Sequence, residues 1–257
     1  MMLLVISPAK TLDYDTPVTT TLYTQPDHLD DAALLVKRLS QYSVGEVMSL
    51  MAVSEKIATL NVERFKQWRQ PFTPKRARQA LLAFKGDVYV GLDAFTLDED
   101  ALAFAQQHLR ILSGLYGQLR PLDLILPYRL EMGRKIDTDR GRTLYEFWGD
   151  RITQGLNAQL QQLGSQYLIN LASTEYFKAV KPKVLQGEVI TPHFKEYKNG
   201  KYKVLGVYAK KARGMLSRYI IKNRITDPQQ IKQFSQAGYS FNPAMSVGNE
   251  WVFTREQ

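Results

Sequence analysis

Cysteine is absent from the 257 residues. That excludes disulfides, thiolate metal sites and a cysteine nucleophile together, and it fits a reducing compartment. Histidine is scarce: His28, His108 and His193 are the full set, and none is spaced as a metal pair. An iron site would need carboxylates such as Asp13 and Asp15, or Asp98, Glu99 and Asp100. Each grouping is explained more simply by a turn or a helix start, and we expect no metal and no cofactor. Long apolar runs are also missing. The N-terminal MMLLVI is apolar for six residues before Ser7 and Pro8, too short for a signal segment and without a basic flank, so it predicts a first buried strand. Nothing approaches a membrane-spanning length. The expectation is a cytoplasmic protein with no membrane partner. No fixed-period repeat and no Pro/Ser/Gly linker interrupts the chain, so residues 1–257 are predicted to form a single compact mixed α+β domain.

What is present allows a coarse reading of the elements. Helices are predicted over 26–42, 54–70, 74–82, 98–112, 144–163 and 210–224, with another beginning at Asp227-Pro228. Strands are predicted at 87–90, 167–172, 188–197 and 201–209, with a last one at WVF near the C-terminus. Asn199-Gly200 is a strong hairpin signal, because a type I′ turn needs positive φ at both central residues.

Positive charge is in excess, with a formal net charge of +9, and it is concentrated. Between 195 and 224 lie Lys195, Lys198, Lys201, Lys203, Lys210, Lys211, Arg213, Arg218, Lys222 and Arg224 against the single Glu196, a surplus as large as that of the whole chain. Aromatics are interleaved at Phe194, Tyr197, Tyr202, Tyr208 and Tyr219. A solvated face would intersperse acids, and uncompensated like charge costs stability unless a polyanion offsets it. The segment predicts an electropositive trough for a polyanion, with DNA (duplex, bubble or junction) the expected partner.

A second feature is RILSGLYGQLRPLDLILPYRLEMG, residues 110–133. A predicted helix, a glycine turn (Gly114, Leu115, Tyr116, Gly117) and a further apolar segment have the order of a helix-hairpin-helix. Such a turn brings backbone N–H groups close to a phosphate, and Arg110 and Arg120 flank it. The alternative is a helix terminus and a turn glycine with no ligand. Two further constellations carry chemistry. Ser7-Pro8-Ala9-Lys10-Thr11 follows the first strand, and Asn170, Ser173, Thr174, Glu175 and Lys178 follow a later one. If a nucleotide entered, Lys10 or Lys178 would serve as nucleophile or charge clamp, and Asp93 or Glu175 as acid–base group. A cap or an ion pair explains each as well.

The stretches ISPAKTLDYD, YVGLDA, LRILSGLYGQLRPLDLILPYRLEMG, LYEFWGD, NLASTEYFKAV and VYAKKARGMLSRYII, in this order, closely resemble the bacterial YaaA family of peroxide stress resistance proteins. The resemblance spans essentially the whole chain. It implies a DNA-binding protein with its own single-domain fold, a basic cleft and a helix-hairpin-helix. It also implies association with the hydrogen peroxide response, lower free iron and DNA repair. It supplies no catalytic residues.

Overall fold

In the computed structural model, which describes residues 1–256, the chain is built on one mixed sheet. The apolar run MLLVI is β1 (Met2–Ile6), wholly buried as a strand flanked on both sides must be. A short β2 (Thr11–Leu12) follows, then three helices: α1 (Leu29–Leu39), α2 (Val44–Met51) and α3 (Glu55–Gln67). α2 starts at a capping box in which Ser43 and Glu46 satisfy each other's backbone N–H groups. β3 (Arg78–Gln79), α4 (Ala80–Ala83), β4 (Phe84–Lys85), α5 (Asp87–Leu92) and α6 (Glu99–His108) lead to β5 (Leu109–Ser113), β6 (Gly117–Leu119) and β7 (Leu124–Ile125). The next helices are α7 (Leu144–Trp148) and α8 (Arg151–Leu163). They are split at Gly149, whose φ of 50° no helix interior contains. β8 (Tyr167–Leu171), α9 (Thr174–Phe177), β9 (Glu188–Lys198), β10 (Lys201–Lys203), α10 (Gly206–Lys222), β11 (Ser240–Phe241) and β12 (Glu250–Arg255) complete the chain.

The main sheet has the order β11-β12-β9-β8-β1-β5-β6, with β10 added to β9. Its five central strands, β12, β9, β8, β1 and β5, are parallel, and the added members β11, β10 and β6 are antiparallel. The architecture is therefore α/β with a mixed sheet, where the sequence pattern predicts α+β. Two consequences of this order matter for function. The chain leaving β1 crosses to β5 on one side, whereas the chain leaving β8 passes to β9 on the other, so the loops after these adjacent strands diverge. β9 also runs on past β8, and β10 occupies the edge that β8 leaves free, pairing with Glu196, Tyr197 and Lys198.

Several predicted elements differ. Residues 87–90 form the first turns of α5, not a strand, because the segment packs helix to helix against α10 through Gly91 and Gly214. The helix predicted from 98 ends at His108, and 109–113 enter the sheet beside β1. Of the predicted 74–82 helix only 80–82 is helical, as the start of α4, and the strand predicted over 201–209 stops at Lys203. The Asn199-Gly200 turn is as expected, with φ of 54° and 78°.

Asp13 fastens the loop after β2. It accepts the N–H groups of Asp15 and Thr16 (3.1 and 2.9 Å) and the Thr16 hydroxyl (2.8 Å), and it meets Arg78 at 3.4 Å. The Thr16 N–H leads the effects that hold its carboxyl at about 2, against burial. A folded-state value below the unfolded one near 3.8 means the stabilisation is complete above pH 4 and lost as pH falls through 2. Asp13→Asn should cost about 1–2 kcal/mol at pH 6, with solvent screening trimming the full shift. Urea unfolding of both proteins at pH 6 and pH 2 checks this: the gap must narrow at the lower pH.

Candidate functional site

The divergence of the loops after β1 and β8 opens a crevice of about 390 Å³ at the carboxyl ends of those strands, the place where open α/β sheets hold ligands. The two constellations that the sequence separates by more than a hundred and fifty residues meet here. The Ser173 N–H donates to Ser7 Oγ at 2.8 Å, Ser7 Oγ approaches Ser173 Oγ at 3.3 Å, and Tyr89 OH donates to the Ser7 carbonyl at 3.0 Å. This clasp fixes both loops. Lys10 and Glu175 both line the crevice, joined by Glu131, Tyr176 and Lys85. Lys210 and Arg213 reach it from α10.

Glu131 is the charge centre of the floor. Lys10, Arg129 and Arg134 lie at 3.4, 3.2 and 3.4 Å from its Oε1, while its Oε2 is buried without a hydrogen-bond partner. Burial pushes this carboxyl up, but Arg129 and Arg134 outweigh burial and hold it below the ordinary glutamate value. Glu175 Oε1 accepts the Gly133 N–H at 2.9 Å. Arg213 has no side-chain hydrogen bond or salt bridge among the described residues, and burial alone pulls its guanidinium below its ordinary value. A larger hollow of about 510 Å³ beside α1 differs on this point. Its Arg38 and Arg140 are already bonded, to the Asp137 carbonyl and to Asp31.

The other two candidates for acid–base or clamp roles do not join the crevice. Asp93 stands at the far end of α5, where it holds Thr96 at 2.9 Å and lies 3.8 Å from Arg218. Lys178 sits over the ring of Tyr145 at 5.1 Å. The carboxylates considered for iron are likewise engaged: Asp98 caps α6 by accepting the Ala101 N–H at 2.8 Å, and Asp100 meets Arg224 at 2.9 Å. No cluster of three histidine or carboxylate residues suited to a metal occurs among the described residues.

The corner at 110–133 is not a helix-hairpin-helix. β5 and β6 form an antiparallel β-hairpin, and the turn between them is interior. Leu115 and Tyr116 are fully buried, and a side chain on Gly114 would meet the Leu130 carbonyl at 2.3 Å. Gly117, at φ 70°, lies under the Trp148 ring, which a Cβ would meet at 2.7 Å. Arg110 spends its donors on the carbonyls of Gln106 and Leu109 (2.9 and 2.8 Å) and on Gln159, and burial pulls it down to about 10, so it stays charged. Arg120 is bound to Asp123 at 2.9 Å and Asp27 at 3.1 Å. No phosphate can reach this turn without unfolding it. Arg110→Ala should therefore lower stability by about 2–4 kcal/mol, since it strands buried acceptors. Paired thermal melts of the variant and the wild type will read the loss.

The basic segment also divides. Arg218, Lys222 and Arg224 meet Asp93, Asp98 and Asp100 at 3.8, 3.7 and 2.9 Å, so the cations at the end of α10 and just past it are neutralised by carboxylates at the end of α5 and the start of α6. Lys195, Lys198, Lys201, Lys203, Lys210, Lys211 and Arg213 have no salt-bridge partner among the described residues. A single basic trough over 195–224 is thus replaced by a free patch on the β9–β10 hairpin and the start of α10.

Sequence reasoning found Ser7, Lys10, Ser173 and Glu175 but passed over Glu131, Tyr89, Tyr176, Lys85 and the inward position of Arg213. The one available signal was the Arg129-Leu130-Glu131 alternation, which puts two charges on one side of an otherwise apolar run. No helix among the described residues is long and apolar enough to cross a membrane.

The family model described as peroxide stress protein YaaA matches residues 2–245. Among curated proteins, the chain is 59% identical over 256 residues to a UPF0246 protein of Teredinibacter turnerae, with all of both chains covered. It is 58% identical over 256 residues to one of Saccharophagus degradans, again at full coverage. A UPF0246 protein of Hahella chejuensis is 56% identical, over 99% of this chain and all of that one. A match over nearly the whole length, with identities of this size, means that the chain belongs to the peroxide stress protein YaaA family.

Proposed function

We propose that within the peroxide stress response this protein binds and protects DNA, gripping the phosphate backbone without strong sequence preference through the free basic patch. One observation carries the reading. Lys198 and Lys201 are directly opposed across the β9–β10 hairpin and neither makes a salt bridge among the described residues, while Lys203 stands opposite Glu196, whose carboxylate is already held by Arg255 and Tyr239. Like charges placed opposite each other on a sheet destabilise it, so a fold that keeps them gains only when a polyanion is bound. Tyr197 and Tyr202, with ring centroids 5.2 Å apart, form an aromatic surface on the opposite face of the same hairpin. Phosphate contacts by the lysines position a duplex and read no bases.

The test is a gel-shift series over duplex, bubble, junction and single-stranded DNA at several salt concentrations. The logarithm of the association constant should fall linearly with the logarithm of salt, with a slope of about −0.9 for each phosphate neutralised on duplex DNA. A salt-insensitive interaction would end this reading.

A second reading, an enzyme acting on a nucleic acid or nucleotide, draws support from the meeting of Lys10 with Glu175 and Glu131 in one crevice. Of the groups first considered for it, Asp93 and Lys178 lie outside that crevice. Turnover abolished by Lys10→Ala, with DNA affinity retained, is its test.

A further inference from the structure

The crevice between β1 and β8 combines features that a structural packing defect would not. Its apolar wall is made by Pro8, Ala9, Val88 and Leu171 beside two tyrosines. At its mouth stand cations with nothing to hold: Arg213 and Lys210 have no hydrogen-bond or ion-pair partner among the described residues. A half-buried guanidinium left unpaired is costly, and its planar fork suits a bidentate oxyanion. Lys10, with its side chain 61% exposed, leans on Glu131 but keeps donors free. In the floor the demand is reversed. Glu131 Oε2 is buried there and accepts nothing, while nearer the rim the exposed Glu175 uses only Oε1 and the half-buried Asp87 carries no side-chain bond. The crevice thus asks for an anionic group at its mouth and for hydroxyl or amino donors deeper in, next to an apolar face.

A volume of about 390 Å³ is much larger than one phosphate ion and lies in the range of small-molecule sites. A carboxylic acid would satisfy Arg213 but leave Lys10 and Lys210 idle. A sugar phosphate would use the cations and the acceptors but not the wall of Pro8, Ala9, Val88 and Leu171. From these requirements we infer that the crevice is a binding site for a nucleoside monophosphate. Arg213, Lys210 and Lys10 take the phosphate, Glu131 and Glu175 accept from ribose hydroxyls or a base amino group, and the apolar wall with Tyr89 and Tyr176 receives the base. The Ser7–Ser173 clasp keeps the two strand-end loops in register for it. This site does not depend on the nucleic-acid reading; it shares with the basic patch only Lys210 and Arg213.

Titration calorimetry on the full chain decides it, with AMP, adenosine, ribose 5-phosphate and inorganic phosphate as probes. AMP should bind one per chain, and each of the other three at least tenfold more weakly. Arg213→Gln should weaken AMP at least tenfold. Lys10→Ala, at an exposed position that the fold does not need, should weaken it several-fold even if Arg213→Gln fails to fold. Lys201→Ala, on the hairpin, should bind AMP as the wild type does. A short DNA strand with and without a 5′-phosphate separates two sources of the same chemistry. Competition only by the phosphorylated strand assigns the site to strand ends, no competition assigns it to free nucleotide, and either supports the site. Absence of AMP binding at 25 °C up to about a hundred times a micromolar threshold, binding of adenosine equal to that of AMP, or equal loss with Lys201→Ala would overturn it. Loss of duplex binding in a Lys198/Lys201/Lys203 triple alanine variant that still binds AMP shows the two activities to be separate.

Discussion

A chain carrying Lys198→Ala, Lys201→Ala and Lys203→Ala together should bind duplex DNA about a hundredfold more weakly than the wild type at 0.15 M salt, with a salt slope shallower by about 2.7. The arithmetic is that of counterion release. Each lysine that neutralises a phosphate frees about 0.9 of a condensed cation, and at this salt concentration each such release is worth about fivefold in affinity. Three contacts multiply to about two powers of ten. The variant must not be confused with an unfolded one, and the hairpin supplies the control. Lys198 and Lys201 oppose each other across it, so removing them relieves repulsion, and the melting temperature should hold or rise. A matched pair, Arg218→Ala with Lys222→Ala, removes cations already held by Asp93 and Asp98 and should change the slope by less than about 1. If the paired cations matter as much as the free ones, the patch is not where the phosphates lie.

The contrast between free and neutralised cations marks how far the sequence could be read. Composition located the surplus in 195–224 correctly, and the hairpin turn was legible because Asn199-Gly200 is a local instruction. The partners of Arg218, Lys222 and Arg224 come from more than a hundred residues upstream, and no pattern within the segment announces them. The same holds for the crevice. Ser7 and Ser173 each stand after an apolar strand, which is visible, but their contact depends on β8 lying beside β1, a fact of sheet order. The corner misled for a different reason. In HLRILS a helix-like spacing continues past His108, and an arginine in an apolar run suggests a surface. The fold instead buries Arg110 in β5 and satisfies it with two carbonyls and Gln159. A buried charge with internal partners looks, in sequence, like an exposed one. α2 was missed although its capping box, Ser43 with Glu46, is a readable start signal, because Gly45 and Ser49 dilute the helix pattern.

Gly214→Ala should be the most damaging single methyl that can be added to this protein. α5 and α10 cross with their backbones in contact. A Cβ on Gly214 would stand 1.8 Å from the Val88 carbonyl oxygen and 2.8 Å from the Leu92 nitrogen, and one on Gly91 would stand 2.0 Å from the Lys211 carbonyl oxygen. None of these atoms is the free end of a side chain, so the helices must separate, and every buried neighbour from Leu216 to Ile221 loses contact. The cost is at the upper end of overpacking, about 3 kcal/mol or more, which for a chain of this size lowers the melting temperature by roughly 6–12 °C. Gly45→Ala is the counter-case. It sits on the exposed side of α2 with nothing within 4 Å, so the lost backbone freedom of the unfolded chain should make it neutral or stabilising by about 0.5–1 kcal/mol. Calorimetric melts of the two variants read both signs at once. The crossing also sets the crevice, since α5 begins at the Gly86-Asp87-Val88 wall and α10 carries Lys210 and Arg213 across from it. At temperatures where Gly214→Ala is still folded, it should bind AMP more weakly than Gly45→Ala does, while the proposed binding of duplex DNA by the β9–β10 hairpin should be equal in the two variants. An equal loss of both would mean that the hairpin patch and the crevice form one site.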